Sequence, residues 1–342
     1  MDKVNNKYSR QLLFWPEGES SQKKLSEKIV TIIGVGALGT ALANHLVRAG
    51  VGEVRLVDRD FVEESNLQRQ MLFDEKDAAN HLPKVIAAEN KLSTINSSVK
   101  IKPYIEDLNA SNIEDIVEGS HLILDGTDNM STRFLINDVS IKLEIPWIYG
   151  GVVHSRGMTT TIIPNITPCF RCLFPDVETG HAETCDSVGV LSTVVHVIAS
   201  YQVTEALKLL IEDRTFIREE MIQLDVWKND FELFPFQLSL NEDCPCCQKK
   251  DFKFLSDVHT QLVSSLCGRN AIQIAPMASK EIIFNDFYKK WAKLGEVKQT
   301  PYLLKLTYDG YRLSLFKNAR LLVQGTSDQR IAKRLYSTLV GE

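Results

Sequence analysis

The sequence predicts an α/β protein: a sheet wound by helices, followed by a small α+β domain. Three observations carry this expectation. Between residues 28 and 58 a strand, a glycine-rich turn, a helix and a second strand ending in an acid follow one another. Two cysteine pairs of matched spacing stand far apart in the chain. After about residue 250 the character changes to short strand-like runs mixed with helix-like ones.

Residues 28–34 are apolar and β-branched, as in a buried parallel strand. Gly34-Val35-Gly36-Ala37-Leu38-Gly39 follows at once, then a helix over 40–49 that stops at Gly50. The strand over 53–58 ends on Asp58. This order opens a Rossmann-like sheet that binds a nucleotide. A helix is expected over 83–92 and a strand over 99–105. The buried strand 121–125 carries Gly126-Thr127-Asp128-Asn129 at its carboxyl end. A helix over 133–142 and a strand from 145 continue the pattern. Ligands of open α/β sheets lie beyond the carboxyl ends of the strands, so Gly34, Gly36, Gly39, Asp58 and Asp128 should converge on one crevice.

The strand expected over 158–163 falls outside the doubly wound order, which makes the sheet mixed. Residues 175–187 lack periodicity and read as a mobile loop. A long helix over 188–210 and a strand over 221–227 complete a first domain, residues 1–250. The second, 251–342, is read as a small α+β domain. It has a helix over 257–266, strands over 270–274, 301–306 and 311–315, and helices over 284–294 and 328–339.

The chain has 342 residues, 44% hydrophobic and 24% charged, as expected of a folded globular protein. A net charge of -5 argues against nucleic acid as the main partner. No apolar run reaches membrane-spanning length, and the N-terminal residues lack the apolar stretch of a secretory signal. A cytoplasmic protein without membrane contact is expected.

Five of the seven cysteines fall in two groups, Cys169-Phe170-Arg171-Cys172 and Cys244-Pro245-Cys246-Cys247. Thiolates at i and i+3 chelate one ion from a knuckle, and two such pairs complete a tetrahedron. Cys169, Cys172, Cys244 and Cys247 are therefore the expected zinc ligands of a closed, structural site. Cys246 either replaces a neighbour or is an inert thiol. Cys185 lies in a polar loop beside Glu183 and Asp186, which raise the cost of a thiolate; a nucleophile and an inert loop thiol both stay open. Cys267 reads as buried.

Asp58 is placed to accept ribose hydroxyls. Asn66, Arg69, Gln70 and Lys84 follow it closely, and Arg10 precedes the first strand. Each cation alone is explained by a solvated surface. Together they suit a triphosphate whose charge must be stabilised during transfer. Asp128 is preferred over Asp125 for Mg²⁺, because Asp125 also reads as a turn cap. Asn129 and Arg133 are placed to add contacts, and the helix surface explains Arg133 just as well.

The ordered set Tyr8-Ser9-Arg10-Gln11, Gly34 to Gly39, Asp58, Ser65-Asn66-Leu67-Gln68-Arg69-Gln70, Lys84, Asp125-Gly126-Thr127-Asp128-Asn129 and both cysteine pairs resembles the MoeB/ThiF-type activating enzymes, relatives of the ubiquitin-activating enzymes. The resemblance spans about residues 7–248. It implies the activating-enzyme variant of the fold and a homodimer that binds ATP with Mg²⁺. It also implies adenylation of the carboxylate on a small ubiquitin-like sulfur carrier ending in Gly-Gly. By that resemblance Asp58 holds the ribose, Asn66, Arg69 and Lys84 engage phosphates, Asp128 handles Mg²⁺, and Arg10 enters the neighbouring subunit's site. Cys185 falls at the crossover-loop cysteine, whose role varies within the family. A cysteine desulfurase or sulfurtransferase is a further expected partner. The tail beyond the second cysteine pair has no rhodanese-type loop at Cys267.

The sequence reading leans to the small subunit of molybdopterin synthase as carrier, with the thiamine-thiazole sulfur carrier as the alternative. Readings of another class are an NAD-dependent dehydrogenase, which leaves Arg69, Lys84 and the cysteine pairs unexplained, and a non-catalytic nucleotide-binding protein.

Overall fold

The computed structural model describes residues 7–175, 188–236, 239, 241–256, 263–266, 270–276 and 281–341. Two compact units divide at residue 256. The first is built on an eight-stranded sheet of order β3-β2-β1-β4-β5-β6-β7-β8. Its strands are β1 Ile29–Ile33, β2 Glu53–Val57, β3 Lys100–Tyr104, β4 Leu122–Asp125, β5 Trp147–Val153, β6 Arg156–Ile162, β7 Glu220–Asp225 and β8 Asp230–Pro235. Pairs among β1 to β5 are parallel; from β5 to β8 every pair is antiparallel. The strand expected outside the doubly wound order, β6, thus extends the same sheet by a hairpin with β5.

Side chains alternate across the sheet and build two cores. Leu122, Leu124 and Ile148 face the helices Ala37–Ala49 and Ser192–Leu210, which also pack on each other. Ile123, Trp147 and Tyr149 face the opposite side, with Phe134 and Phe170. Edge strand β8 was missed by the sequence reading, because all six of its residues are exposed and no buried face marks it.

The junction of β1, the following helix and β4 has no room for side chains. Gly34 has φ +85°, and a Cβ on it would lie 2.7 Å from the Gly126 carbonyl carbon. A Cβ on Gly39 or on Gly126 would collide with the Gly34 carbonyl oxygen. The close approach is fastened by Gly34 N donating to Val57 O and Gly126 N donating to Ile33 O, both at 2.8 Å.

The helix Met130–Leu143 begins three residues earlier than its apolar pattern suggests, because the Asn129 side chain accepts from the amides of Ser131 and Thr132.

The second unit is a six-stranded antiparallel sheet of order β11-β12-β13-β14-β10-β9. These strands are β9 Val263–Leu266, β10 Ala271–Ile274, β11 Val297–Gln299, β12 Leu303–Tyr308, β13 Tyr311–Phe316 and β14 Leu321–Gln324. Helices Phe284–Trp291 and Gln329–Leu339 close its core with Trp291, Ala332, Leu335 and Leu339. The helix expected over 257–266 is corrected here. Residues 263–266 form β9, where the ladder with β10 supplies backbone partners that a short segment cannot find in a helix. Residues 257–262 lie outside the described residues. Among the described residues no helix is long and apolar enough to cross a membrane.

Gly126→Ala is expected to lower stability by about 1–3 kcal/mol in urea denaturation, because its Cβ meets backbone that cannot yield. Gly36→Ala, with nothing nearer than 3.8 Å, is expected to cost only about 0.5–1 kcal/mol, the difference between glycine and alanine at a helix N-cap.

Candidate active site and metal centre

The order of the sheet reverses between β1 and β4, whose carboxyl ends carry Gly34 and Asp125. Such a switch point opens a crevice. The helix Ala37–Ala49 starts there from Gly36 with no side-chain cap, so its first-turn amides are left to face an anion. Asp58 is held by two backbone donors: Val35 N to Oδ2 and Asp60 N to Oδ1, both 2.7 Å. Its carboxylate therefore sits against the glycine turn.

The loop after β2 brings the other expected residues to this edge. Asn66 is buried and its Oδ1 accepts from Glu63 N at 3.2 Å, within a single 3₁₀ turn, Glu64–Asn66. Gln70 N donates to Asn66 O. The buried Gln70 amide reaches toward Gly36, and its Oε1 has no hydrogen-bond partner. A buried acceptor of this kind requires a donor from water or a ligand. Arg69 is half-buried and donates from Nη1 to Ser65 O at 2.8 Å.

Lys84 is 5% exposed, opens the helix Lys84–Ile95, and places Nζ 3.4 Å from Asp60 Oδ2. Asp60 and Arg59 are not among the residues that the motifs single out. Arg59 Nη1 lies 2.7 Å from Asp107 Oδ1. Burial opposes its charge, but the carboxylates of Asp107 and Asp60 outweigh this and hold its pKa above the usual value. The alternation Asp58-Arg59-Asp60 at a strand end was the available signal.

Asp125 and Arg133 form the buried centre of the opposite wall. Asp125 is fully buried. Its Oδ2 accepts from Arg133 Nε at 2.9 Å, and its Oδ1 accepts from Thr127 N and Oγ1, both at 2.8 Å. Arg133 also donates to Thr127 O at 2.7 Å and Gly150 O at 3.1 Å. The helix-surface reading of Arg133 is therefore corrected: it is a buried cation that ties β4 to β5. Burial works against the guanidinium charge, yet the Asp125 carboxylate raises its pKa. Asp128, three residues on, is exposed, and its charge also acts on Arg133. Asn129 spends its side-chain oxygen on the helix cap. Arg10 is exposed on the short helix Ser9–Phe14, which buries none of its own residues. Cys185 and Cys267 lie outside the described residues.

The cysteine knuckles meet in a buried cluster of their own, distinct from the core that holds Phe134 and Phe170. Sulfurs of Cys169, Cys172, Cys244 and Cys247 all lie within 4.8 Å of one another. Three of the separations are 3.8 Å for Cys169–Cys172, 3.6 Å for Cys169–Cys244 and 3.6 Å for Cys172–Cys247. A tetrahedral thiolate site with bonds of about 2.3 Å has edges of about 3.8 Å. The four residues therefore fit a metal ion. Their chemistry also calls for one. Burial and the neighbouring Cys169 push the Cys247 thiol up to about 12, and the Cys169 contact with burial pushes Cys172 up too. Crowded buried sulfurs cannot ionise together without a cation among them.

A ThiF family model matches residues 8–246. The sulfur carrier protein ThiS adenylyltransferase of Bacillus subtilis (strain 168) is 42% identical over 339 residues, 99% of this chain and all of that protein. The SAMP-activating enzyme E1 of Haloferax volcanii is 34% identical over 254 residues, covering 74% of this chain and 92% of its own. Among solved structures, E. coli MccB with MccA-N7isoASN superposes with a TM-score of 0.64 at 20% identity, over 72% of this chain and 75% of that one, which is a likeness of fold.

Arg133→Met would leave Asp125 buried and unpaired, and is expected to cost about 3–5 kcal/mol in urea denaturation. Adding Asp125→Asn should recover part of that loss. Cys244→Ala is expected to abolish stoichiometric metal binding, read as metal per chain after desalting.

Proposed function

This chain belongs to the ThiF family, and from that premise we propose that it adenylates the C-terminal glycine of a ThiS-type sulfur carrier with ATP. The observation that carries the choice of carrier is the Bacillus subtilis relative. It aligns over 99% of the chain, through the second unit as well as the first. The sequence leans to the molybdopterin carrier, although nothing in the site residues separates two carriers that present the same Gly-Gly end. The full-length alignment moves the proposal to the thiamine-thiazole carrier.

In this reading the phosphates of ATP lie on the uncapped amides after Gly36, and Asp58 accepts the ribose hydroxyls. Gln70 Oε1 takes a donor from the nucleotide or from a water it retains. Asn66, Arg69 and Lys84 face the phosphate chain. Asp128, exposed beside the buried Asp125–Arg133 pair, is the carboxylate that would hold Mg²⁺, which screens the phosphate charge when bound. A carrier carboxylate oxygen attacks the α-phosphorus. The bond from that phosphorus to the bridging oxygen breaks, and pyrophosphate leaves with the electron pair. The nucleophile is already an anion, so no general base is needed. The residues' task is to bring two anions together and to lower their repulsion.

The cysteine cluster offers four sulfurs and no open position, so the ion it would hold, zinc by donor type, supports structure. Arg10 is assigned to the site of a second copy of the chain. Its helix carries Leu13 and Phe14 at 79% and 84% exposure, an apolar pair suited to burial in a homodimer. Cys185 is assigned to a later sulfur-transfer step with a sulfurtransferase or desulfurase, since adenylation leaves it no task.

ATP–pyrophosphate exchange tests the reading. Exchange is expected with a ThiS-type carrier and not with the same carrier lacking its last glycine; exchange with only the molybdopterin carrier would reverse the choice. Asp128→Asn should lower the rate about 10²-fold, while Cys185→Ser should leave it unchanged. Arg10→Ala and Asp128→Asn proteins, each slow alone, should regain exchange when mixed, because a mixed dimer holds one intact site. No recovery would place Arg10 outside the partner's site.

A further inference from the structure

Cys246 is wholly buried beside the metal cluster, yet its sulfur is not among the four that converge. It touches the cluster through the Cys169 sulfur and is held from the other side by two side chains. Asn137 Nδ2 donates to Cys246 Sγ at 3.2 Å, and Cys246 Sγ donates to Asp138 Oδ1 at 3.3 Å. The other ends of these side chains hold backbone near the two knuckles. Phe170 N, next to Cys169, donates to Asn137 Oδ1 at 2.7 Å. Phe254 N donates to Asp138 Oδ2 at 2.9 Å. Asn137 therefore uses both ends of its amide to bridge the first knuckle and the second.

Asn137 also belongs to a polar stripe on the helix Met130–Leu143. Residues four apart share a helix face. Here Asn129, Arg133, Asn137 and Ile141 do so. Asn129 caps the helix beside Asp128, and Arg133 fastens the end of β4 to the middle of β5. Ile141 packs on the cysteine cluster. From Arg133 to Asn137 is one turn, about 6 Å along the axis. A close-packed helix transmits a displacement rather than absorbing it. If the sulfurs separate, Phe170 and Cys246 move, and Asn137 loses partners on both sides.

We propose that Asn137 is a positioning residue that, through Cys246 as an outer-shell thiol rather than a ligand, couples the metal cluster to the nucleotide cleft, so that metal and ATP favour each other's binding. The coupling rests on the nucleotide reading of the cleft given above. Binding linkage is reciprocal: if metal raises ATP affinity, ATP must raise metal affinity by the same factor. A purely structural asparagine would change stability without changing that factor.

The full chain is equilibrated in a buffer that fixes free Zn²⁺, with and without ATP saturated by Mg²⁺. Saturating ATP is expected to raise the zinc affinity of wild type about fivefold or more. Asn137→Ala should still bind one ion per chain, about tenfold more weakly, and the ATP effect should vanish. Cys246→Ala should behave likewise, and Cys247→Ala should lose the ion. The proposal is overturned if ATP leaves wild-type zinc affinity unchanged or if Asn137→Ala keeps the full effect. It is also overturned if Cys246→Ala loses the ion while Cys247→Ala keeps it. Should Asn137→Ala not fold, Cys246→Ala carries the same comparison. Wild type that binds no ATP at all would overturn the nucleotide reading, and the coupling with it.

Discussion

Three glycine backbones in contact set the geometry of the first unit. Gly34, Gly39 and Gly126 come from the end of β1, the start of the next helix and the end of β4, and none has room for a Cβ. Their contact draws the helix N-terminus down onto the sheet and brings the strand end before Asp128 beside the glycine turn. Asp58 reinforces it by accepting from Val35 within that turn. A crevice with amides on one side and a carboxylate on the other follows from this packing. So does its readiness, since both walls are held by protein hydrogen bonds before a ligand enters.

The opposite wall depends on a charge kept out of water. Arg133 and Asp125 are both buried, and burying ions is costly unless every donor and acceptor is matched. Here the matches are made: Arg133 reaches one carboxylate and two carbonyls, and Asp125 accepts from Thr127 twice. The network does not add chemistry of its own. It fixes the turn from Asp125 to Asn129 so that the exposed Asp128 has a defined place.

The cysteine knuckles act over a longer range. Their sulfurs are 75 residues apart in sequence and 3.6 Å apart in space for the pair Cys169 and Cys244. An ion between them would close a long loop, which removes conformational freedom from the unfolded chain. The loop contains the helix Ser192–Leu210 and the strands β7 and β8, so the two outermost antiparallel strands of the sheet lie within it. The same cluster rests on Asn137 and Asp138, and thereby on the helix that leads back to the cleft.

Much of this was legible in the amino-acid order. Apolar runs bounded by Gly34 and Asp58 specify β1 and β2, because period and turn chemistry are local properties. The matched spacing of Cys169/Cys172 and Cys244/Cys247 specifies a chelating set for the same reason. Other features had no local sign. Strand β8 buries nothing, and β9 is a strand only because β10 supplies its ladder. Arg133 has the sequence context of an exposed helix cation, and only the packing of β4 and β5 against its helix makes it a buried tie. Cys246 is indistinguishable from Cys247 by composition; which sulfur joins the cluster and which meets Asn137 and Asp138 is decided by backbone direction in the folded knuckle. The sequence by itself determined the elements, the glycine turn and the set of candidate ligands. The tertiary structure decided which charges are buried and which sulfurs converge, because burial and distance arise from contacts between segments far apart in the chain.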